Sequence, residues 1–203
     1  LTFADGETSK TVNVTILNDT EIDPGESFTF VISNAQGGAT LGTTTSTTVN
    51  IVDDEQPGTL AFSQATASVN EDDGTLTITV VRTGGSDGAV TVNYATSNGS
   101  ATAGDDYTAN SGTLTFADGE TSKDIELQII DDISIESNET LTVTLSSPSG
   151  GASLGTPAVM TVTIIEDDVP GTLAFSAGTA SISEDGGSVN LVVSRTSGND
   201  GIV

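Results

Sequence analysis

The 203-residue chain contains no cysteine, no histidine and no tryptophan, and four lysines and arginines stand against 29 aspartates and glutamates. Each absence closes a class of function. Without cysteine there is neither a disulfide framework nor a thiolate metal site, and zinc and iron–sulfur chemistry lose their soft ligands. Without histidine or cysteine, no familiar general base stands beside the many Ser and Thr hydroxyls, so an enzyme is not expected. A carboxylate pair that hydrolyses glycosides would want a cleft lined with aromatics, and aromatics are 4% of the chain. A net charge of −25 argues against nucleic acid or an anionic membrane as partner, because phosphate contacts need a basic face. No run of about 18 apolar residues occurs, so no segment reads as a spanning helix and no membrane insertion is expected. Hard cations bound by oxygen are the chemistry left open.

What is present is a repeat. Leu1-Thr2-Phe3-Ala4-Asp5-Gly6-Glu7-Thr8-Ser9-Lys10 returns letter for letter at Leu114–Lys123, a period of 114 − 1 = 113 residues. The period holds without a gap: Pro57–Ser63 returns at Pro170–Ser176 and Arg82-Thr83 at Arg195-Thr196. Repeat detection comes first because it sets the architecture. One complete unit lies at 58–168, preceded by the later half of a unit at 1–57 and followed by the first part of another at 169–203. Leu1-Thr2-Phe3 opens inside a strand-like run, so more chain, with any signal peptide, is expected upstream.

The hydrophobic share of 34% is low, but it is concentrated in alternating Val, Ile, Leu and Thr runs, which favours small β-domains over disorder. Seven such runs occupy the complete unit, near 59–69, 75–82, 89–95, 112–116, 123–130, 140–146 and 158–166. Period-two alternation with Gly, Ser, Asn and Asp between the runs is the half-buried antiparallel pattern. The expected fold is all-β, an immunoglobulin-like seven-stranded antiparallel β-sandwich in tandem repeats. Another all-β sandwich or barrel is the alternative.

Strand direction then sorts the acids. Successive strands of such a sandwich run in opposite directions, so the first, third, fifth and seventh end at one pole. Glu71, Asp72 and Asp73 follow the first, Asp105 and Asp106 follow the third, and Asp131, Asp132, Glu136 and Glu139 follow the fifth. Glu166, Asp167 and Asp168 end the seventh. At a separation of about 4 Å and an effective dielectric of ~20, each like-charge pair costs roughly 4 kcal/mol. None of the chain's four cations (Lys10, Arg82, Lys123 and Arg195) lies in the 131–139 loop. A metal ion is the natural counter-charge, and six to eight oxygen ligands drawn from several loops are what Ca²⁺ takes. A solvated acidic surface that only keeps the chain soluble is the bland alternative. It gives no reason for the acids to gather at one pole.

The segments Ser68-Val69-Asn70-Glu71, Ala103-Gly104-Asp105-Asp106-Tyr107, Gly112–Phe116, Ile129–Asp132 with Glu136 and Glu139, and Thr163–Asp168 together resemble Calx-beta domains. The resemblance covers the whole chain and implies a sandwich with calcium ligands at one pole. The implied ligands are Glu71, Asp105, Asp106, Asp131, Asp132, Glu136, Glu139, Glu166, Asp167 and Asp168, with a backbone carbonyl near Ser134. In the first copy they are Asp19, Asp23, Glu26, Asp53, Asp54 and Glu55, and in the third Glu184. Two departures matter. Ile133 stands where the exchanger-type loop has a third Asp, and Asn18 and Asp23 stand in the first copy at the places of Asp131 and Glu136. Neutralising such a cluster would take about two to four Ca²⁺ per complete repeat.

Three roles are compatible with these residues. The leading expectation is a calcium-stiffened structural repeat of a long extracellular or cell-surface adhesin, sheath or fibre, with neighbouring repeats head to tail and other copies as partners. The alternatives are a regulatory calcium sensor of exchanger type and a glycan- or protein-binding module. The last would want an exposed aromatic platform, and Tyr94 and Tyr107 are the only tyrosines, with Tyr94 expected in the core and Tyr107 in the acidic loop Ala103–Tyr107.

Overall fold

The computed structural model describes residues 1–203 and divides into two compact units, Leu1–Glu55 and Gln56–Val203. The first unit carries one antiparallel hairpin, β1 (Ser27–Val31) with β2 (Ser46–Asn50), in which Phe28 pairs with Val49. Residues 8–19 beside it form no regular element.

The second unit holds the complete repeat as a β-sandwich. Its strands are β3 (Thr59–Phe62), β4 (Thr66–Asn70), β5 (Thr75–Thr83), β6 (Val90–Asn98), β7 (Ser111–Phe116), β8 (Ser122–Gln128), β9 (Glu139–Ser149), β10 (Ser153–Leu154) and β11 (Val159–Ile165). One sheet has the order β10-β3-β5-β8 and the other β4-β11-β9-β6-β7. All seven expected runs form strands, but the first is divided. Thr59–Phe62 pairs antiparallel with β5, whereas Thr66–Asn70 crosses to the other sheet and runs parallel to β11. The break at Ser63-Gln64-Ala65 lets one segment serve both sheets: Thr66–Asn70 is the edge of one, and Thr59–Phe62 lies inside the two-residue edge strand β10 in the other.

Alternation along the strands builds the core. From one sheet Leu60, Phe62, Ile78, Val80, Ile125 and Leu127 point inward; from the other come Val90, Val92, Phe116, Leu141, Val143, Val162 and Ile164, all buried. Burying a side chain such as Phe62 stabilises the fold by roughly 1.5–3 kcal/mol. Tyr107, expected in an acidic loop, is wholly buried and donates from its hydroxyl to Asn98 Oδ1 at 2.6 Å. Tyr94, expected in the core, is half-buried against it. Both rings are taken up by packing and build no exposed platform.

The turns at the pole opposite the acids are tied by a buried cation. Arg82, 3% exposed, donates to the carbonyls of Pro57 (2.8 Å), Asp87 (2.6 Å) and Ala117 (3.3 Å). After the sandwich the chain passes into a second hairpin, β12 (Thr172–Phe175) with β13 (Val193–Thr196), where Arg195 donates to Pro170, Asp200 and Gly201 in the same manner. The parallel β4–β11 pair sends both strands to one end of the domain. β6 and β8 end there as well, because β6 is antiparallel to β9, β9 to β11, and the loop after β8 returns into β9.

Candidate metal centre

At that end four loops meet. A short 3₁₀ turn, Glu71–Asp73, follows β4; Asn70 N donates to Asp73 Oδ2 at 2.9 Å, and Gly74 closes the turn at φ 71°. That left-handed value is one that glycine adopts without strain. In the loop after β6, Asp106 is held by Thr102 N, which donates to its Oδ2 at 2.5 Å, while Ile130 N donates to the Asp106 carbonyl at 3.0 Å. The loop after β8 is laced to the others through its acids. Asp132 N donates to Glu71 Oε1 at 3.3 Å, and Glu136 N to Glu166 Oε2 at 3.0 Å. Glu166 N in turn donates to Asn138 Oδ1 at 3.2 Å, and Asp168 N to Glu166 Oε1 at 2.8 Å. The carboxylates are thus placed by backbone amides, with no cation among them.

The acids fall into two neighbouring groups. Asp106, Glu136 and Glu139 bring ligand oxygens within 4.8 Å of one another. With Glu71, Glu166, Ser137 and Ile164 they enclose a cavity of about 10 Å³, room for one water-sized sphere. It adjoins an open cleft of about 490 Å³ lined by Asp105, Asp132 and Ser134 as well. The outer group is Asp131, Asp167 and Asp168, with Asp72 beside Asp167 and Asp200 beside Asp168.

Burial and mutual repulsion shift these carboxylates together. Burial pushes Glu71 up to about 7, reinforced by the charges of Glu166, Asp132 and Asp168 and opposed by the Asp132 amide. Burial also pushes Glu139 up to about 7, helped by a hydrogen bond shared with Asp106. Glu136, Asp167 and Asp168 rise as well, each first through burial and then through neighbouring acids. Such shifts mean that ionisation is resisted. A divalent cation would reverse their sign, so the donor set, all hard oxygen, fits calcium.

Every sequence-identified acid of the complete repeat lies in one of these groups. In the first unit Asp19, Asp23, Glu26, Asp53, Asp54 and Glu55 line one cleft of about 600 Å³ together with Asn18, so the first-copy set converges too. A hydrogen bond shared with Asp53, in which Glu55 keeps the proton, raises Glu55 there. Glu184 stands apart, in an exposed turn with Asp185. Asp72 was expected at this pole but not among the ligands, and Asn138 and Asp200 were not among the expected residues. For Asp72 the signal is its place directly after Glu71, and for Asp200 its recurrence 113 residues after Asp87. Ile133, at the place of a third loop Asp, is 63% exposed. Its carbonyl and the Ile135 side chain lie against Gly201, whose added Cβ would meet them at 3.3 and 3.2 Å.

Comparison with known proteins places these features in a family. A family model described as Calx-beta domain matches residues 1–55, 53–168 and 166–202. The adhesion G-protein coupled receptor V1 of Danio rerio is 34% identical over 216 residues, covering 97% of this chain and 4% of that protein. Sodium/calcium exchanger 1 of Canis lupus familiaris is 34% identical over 171 residues, covering 75% of this chain and 18% of that protein. The chain therefore spans less than a fifth of either relative. Among solved structures, the apo-form Calx CBD1 domain aligns at TM-score 0.53 and 33% identity over 54% of this chain and 96% of its own. The CBD12 structure from CALX1.2 aligns at TM-score 0.54 and 33% identity over 62% and 52%.

Proposed function

The chain belongs to the Calx-beta domain family, and from that premise we propose that it is a calcium-binding module in which the ion completes the acidic pole. One observation carries the reading. Asp106, Glu136 and Glu139 converge within 4.8 Å around a water-sized cavity with no cation near them. In the proposed site Glu71, Asp106, Asp132, Glu136, Glu139 and Glu166 hold the inner ion or ions, and Asp131, Asp167 and Asp168, with Asp105 at the open cleft, hold the outer ones. The first unit forms a lesser site from Asp19, Asp23, Glu26, Asp53, Asp54 and Glu55. Residues 1–57, 58–168 and 169–203 are read as the later half, the whole and the beginning of three successive repeats. Each complete repeat takes about two to four ions.

Of the roles read from the sequence, the regulatory sensor of exchanger type now ranks above the structural stalk. The reversal rests on the 34% identity to sodium/calcium exchangers over three-quarters of the chain and on tandem structures such as "calcium binding domain CBD12 of CALX1.1". The stalk, an extracellular role with repeats head to tail, becomes the second reading. The letter-for-letter repeat favours it, as does the likeness to an adhesion receptor.

Calorimetric titration with CaCl₂ tests both levels. Binding with Kd of about 10⁻⁷–10⁻⁵ M marks a sensor, and about 10⁻⁴–10⁻³ M an extracellular module. No heat of binding, together with identical melting curves in chelator and in calcium, would remove the calcium reading itself.

A further inference from the structure

Three residues lead into each copy of the repeat: Gln56-Pro57-Gly58 and, one period later, Val169-Pro170-Gly171. By composition they read as a tether. Their polar groups, however, are taken up by the turn after β5. Gln56 N donates to Asp87 Oδ2 at 2.8 Å, and Asp87 N donates back to the Gln56 carbonyl at 3.1 Å. Pro57 has no N–H to satisfy, and its carbonyl accepts from Arg82 Nε at 2.8 Å. The Gly58 carbonyl accepts from Ser153 N at 3.3 Å. Because the Arg82 fork also holds the Asp87 and Ala117 carbonyls, one buried guanidinium grips the entering segment and the turn together. The two backbones touch where they cross: a Cβ on Gly85 would overlap the Gln56 carbonyl, and one on Gly58 the Gly85 carbonyl.

The second copy repeats the arrangement bond for bond. Val169 N donates to Asp200 Oδ2 at 3.0 Å, Asp200 N to the Val169 carbonyl at 3.2 Å, and Arg195 Nε to the Pro170 carbonyl at 2.5 Å. On the other side of the junction Glu166 is fixed to the complete repeat, its N–H donating to Asn138 Oδ1 and its carboxylate accepting from Glu136 N. Between these two fixed ends lie Asp167 and Asp168, and Asp168 N donates within the segment itself, to Glu166 Oε1. The division of the chain between Glu55 and Gln56 falls at the corresponding place one period earlier. The turn that holds the entering segment also meets the preceding repeat, since Gly201 lies against the Ile133 carbonyl and the Ile135 side chain.

We propose that Gln56–Gly58 and Val169–Gly171 are built-in parts of the repeats that follow them, locked by Arg82 with Asp87 and by Arg195 with Asp200, and that the pivot between consecutive repeats is confined to the pair Asp167-Asp168. Swinging one repeat on the next then turns about four soft backbone torsions, two for each aspartate. A free three-residue tether would add about as many again and more, and would let the next repeat leave its seat on Ile133 and Ile135. With the entry locked, the joining segment and the contact turn move as one piece. The inference rests on reading 58–168 as one repeat and not on calcium, because none of the locking groups is among the proposed ligands.

Backbone NMR of the whole chain in chelator tests it at the entry to the complete repeat. Heteronuclear NOE values, which report picosecond-to-nanosecond motion, should be as high at Gln56 and Gly58 as in β5 and β8, and should fall at Asp54 and Glu55. Amide exchange then tests the lock. Asp87→Ala removes the acceptor of Gln56 N but leaves the Asp87 amide its own acceptor, the Gln56 carbonyl. If the side chain holds the segment in place, exchange at residue 87 should quicken roughly tenfold, the factor that one net hydrogen bond supplies, and Ser153 should follow. The amides of β8 should keep the parent's rates, and Asp87→Asn, which retains an oxygen acceptor, should restore slow exchange at residue 87. Low NOE values at Gln56 and Gly58 would overturn the built-in segment, and high ones at Asp54 and Glu55 the pivot. Unchanged exchange at residue 87 in Asp87→Ala would overturn the lock.

Discussion

Replacing Glu71 by glutamine is expected to change stability with opposite sign in the two metal states. Glu71 is buried, and its carboxyl is pushed from an ordinary 4.5 up to about 7. At about 1.36 kcal/mol per unit, its ionised form costs the calcium-free fold on the order of 3 kcal/mol. The folded-state value lies above the unfolded one. The cost is therefore absent below about pH 4.5 and complete above about pH 7, and calcium-free stability falls as pH rises through that window. Glutamine removes the charge and keeps an oxygen for the Asp132 amide, which donates across 3.3 Å. Allowing half the cost to be lost to relaxation, Glu71→Gln should raise the melting temperature in chelator at pH 8 by ~10 °C for a domain of this size. At pH 4.5 the two proteins should melt together. In saturating calcium the order reverses, because the variant gives up a charged ligand and with it part of the stabilisation that binding supplies. Melting followed by far-ultraviolet circular dichroism at the two pH values, with and without calcium, measures all four cases. A variant that melts no higher than the parent in chelator at pH 8, or that gains as much from calcium, would refute the reasoning.

Three other substitutions have defined outcomes. Glu136→Gln should weaken calcium binding in a calorimetric titration. Asp118→Asn, at the opposite pole, should keep its bond from Gly88 N (2.8 Å) and stay within about ±0.5 kcal/mol of the parent; equal effects at both poles would mean that generic charge is being measured. Gly58→Ala should destabilise the repeat by roughly 1–3 kcal/mol in urea unfolding, because at φ 76° an added Cβ would come within 2.3 Å of the Gly85 carbonyl oxygen and 2.7 Å of that of Thr83. An unchanged midpoint would show that this turn relaxes freely.

The sandwich, the repeat and the pole at which the acids collect are all legible in the chain, because each depends on short-range order. Period two decides which side chains share a face, and strand parity decides at which end a loop emerges. Convergence of Asp131, Asp132, Glu136 and Glu139 with Glu71, Asp106 and Glu166 needed only that parity. Four loops leaving one end of a narrow sandwich have nowhere else to go.

What the tertiary structure decided lies in contacts between residues far apart in the chain. No local pattern divides the run 59–69 into one segment for each sheet. That division depends on Thr66–Asn70 finding β11 almost a hundred residues later. The exchange of Tyr94 and Tyr107 between half-buried and buried positions has a similar cause, since Tyr107 reaches the core only when its loop folds back onto Asn98. The separation of the acids into an inner group around a cavity and an outer group beside Asp72 and Asp200 likewise follows from distances that spacing does not encode. By itself the sequence determined which groups must meet; only the packed structure decided which of them are buried, and so which carboxylates resist ionisation, because desolvation depends on what the rest of the chain lays over them.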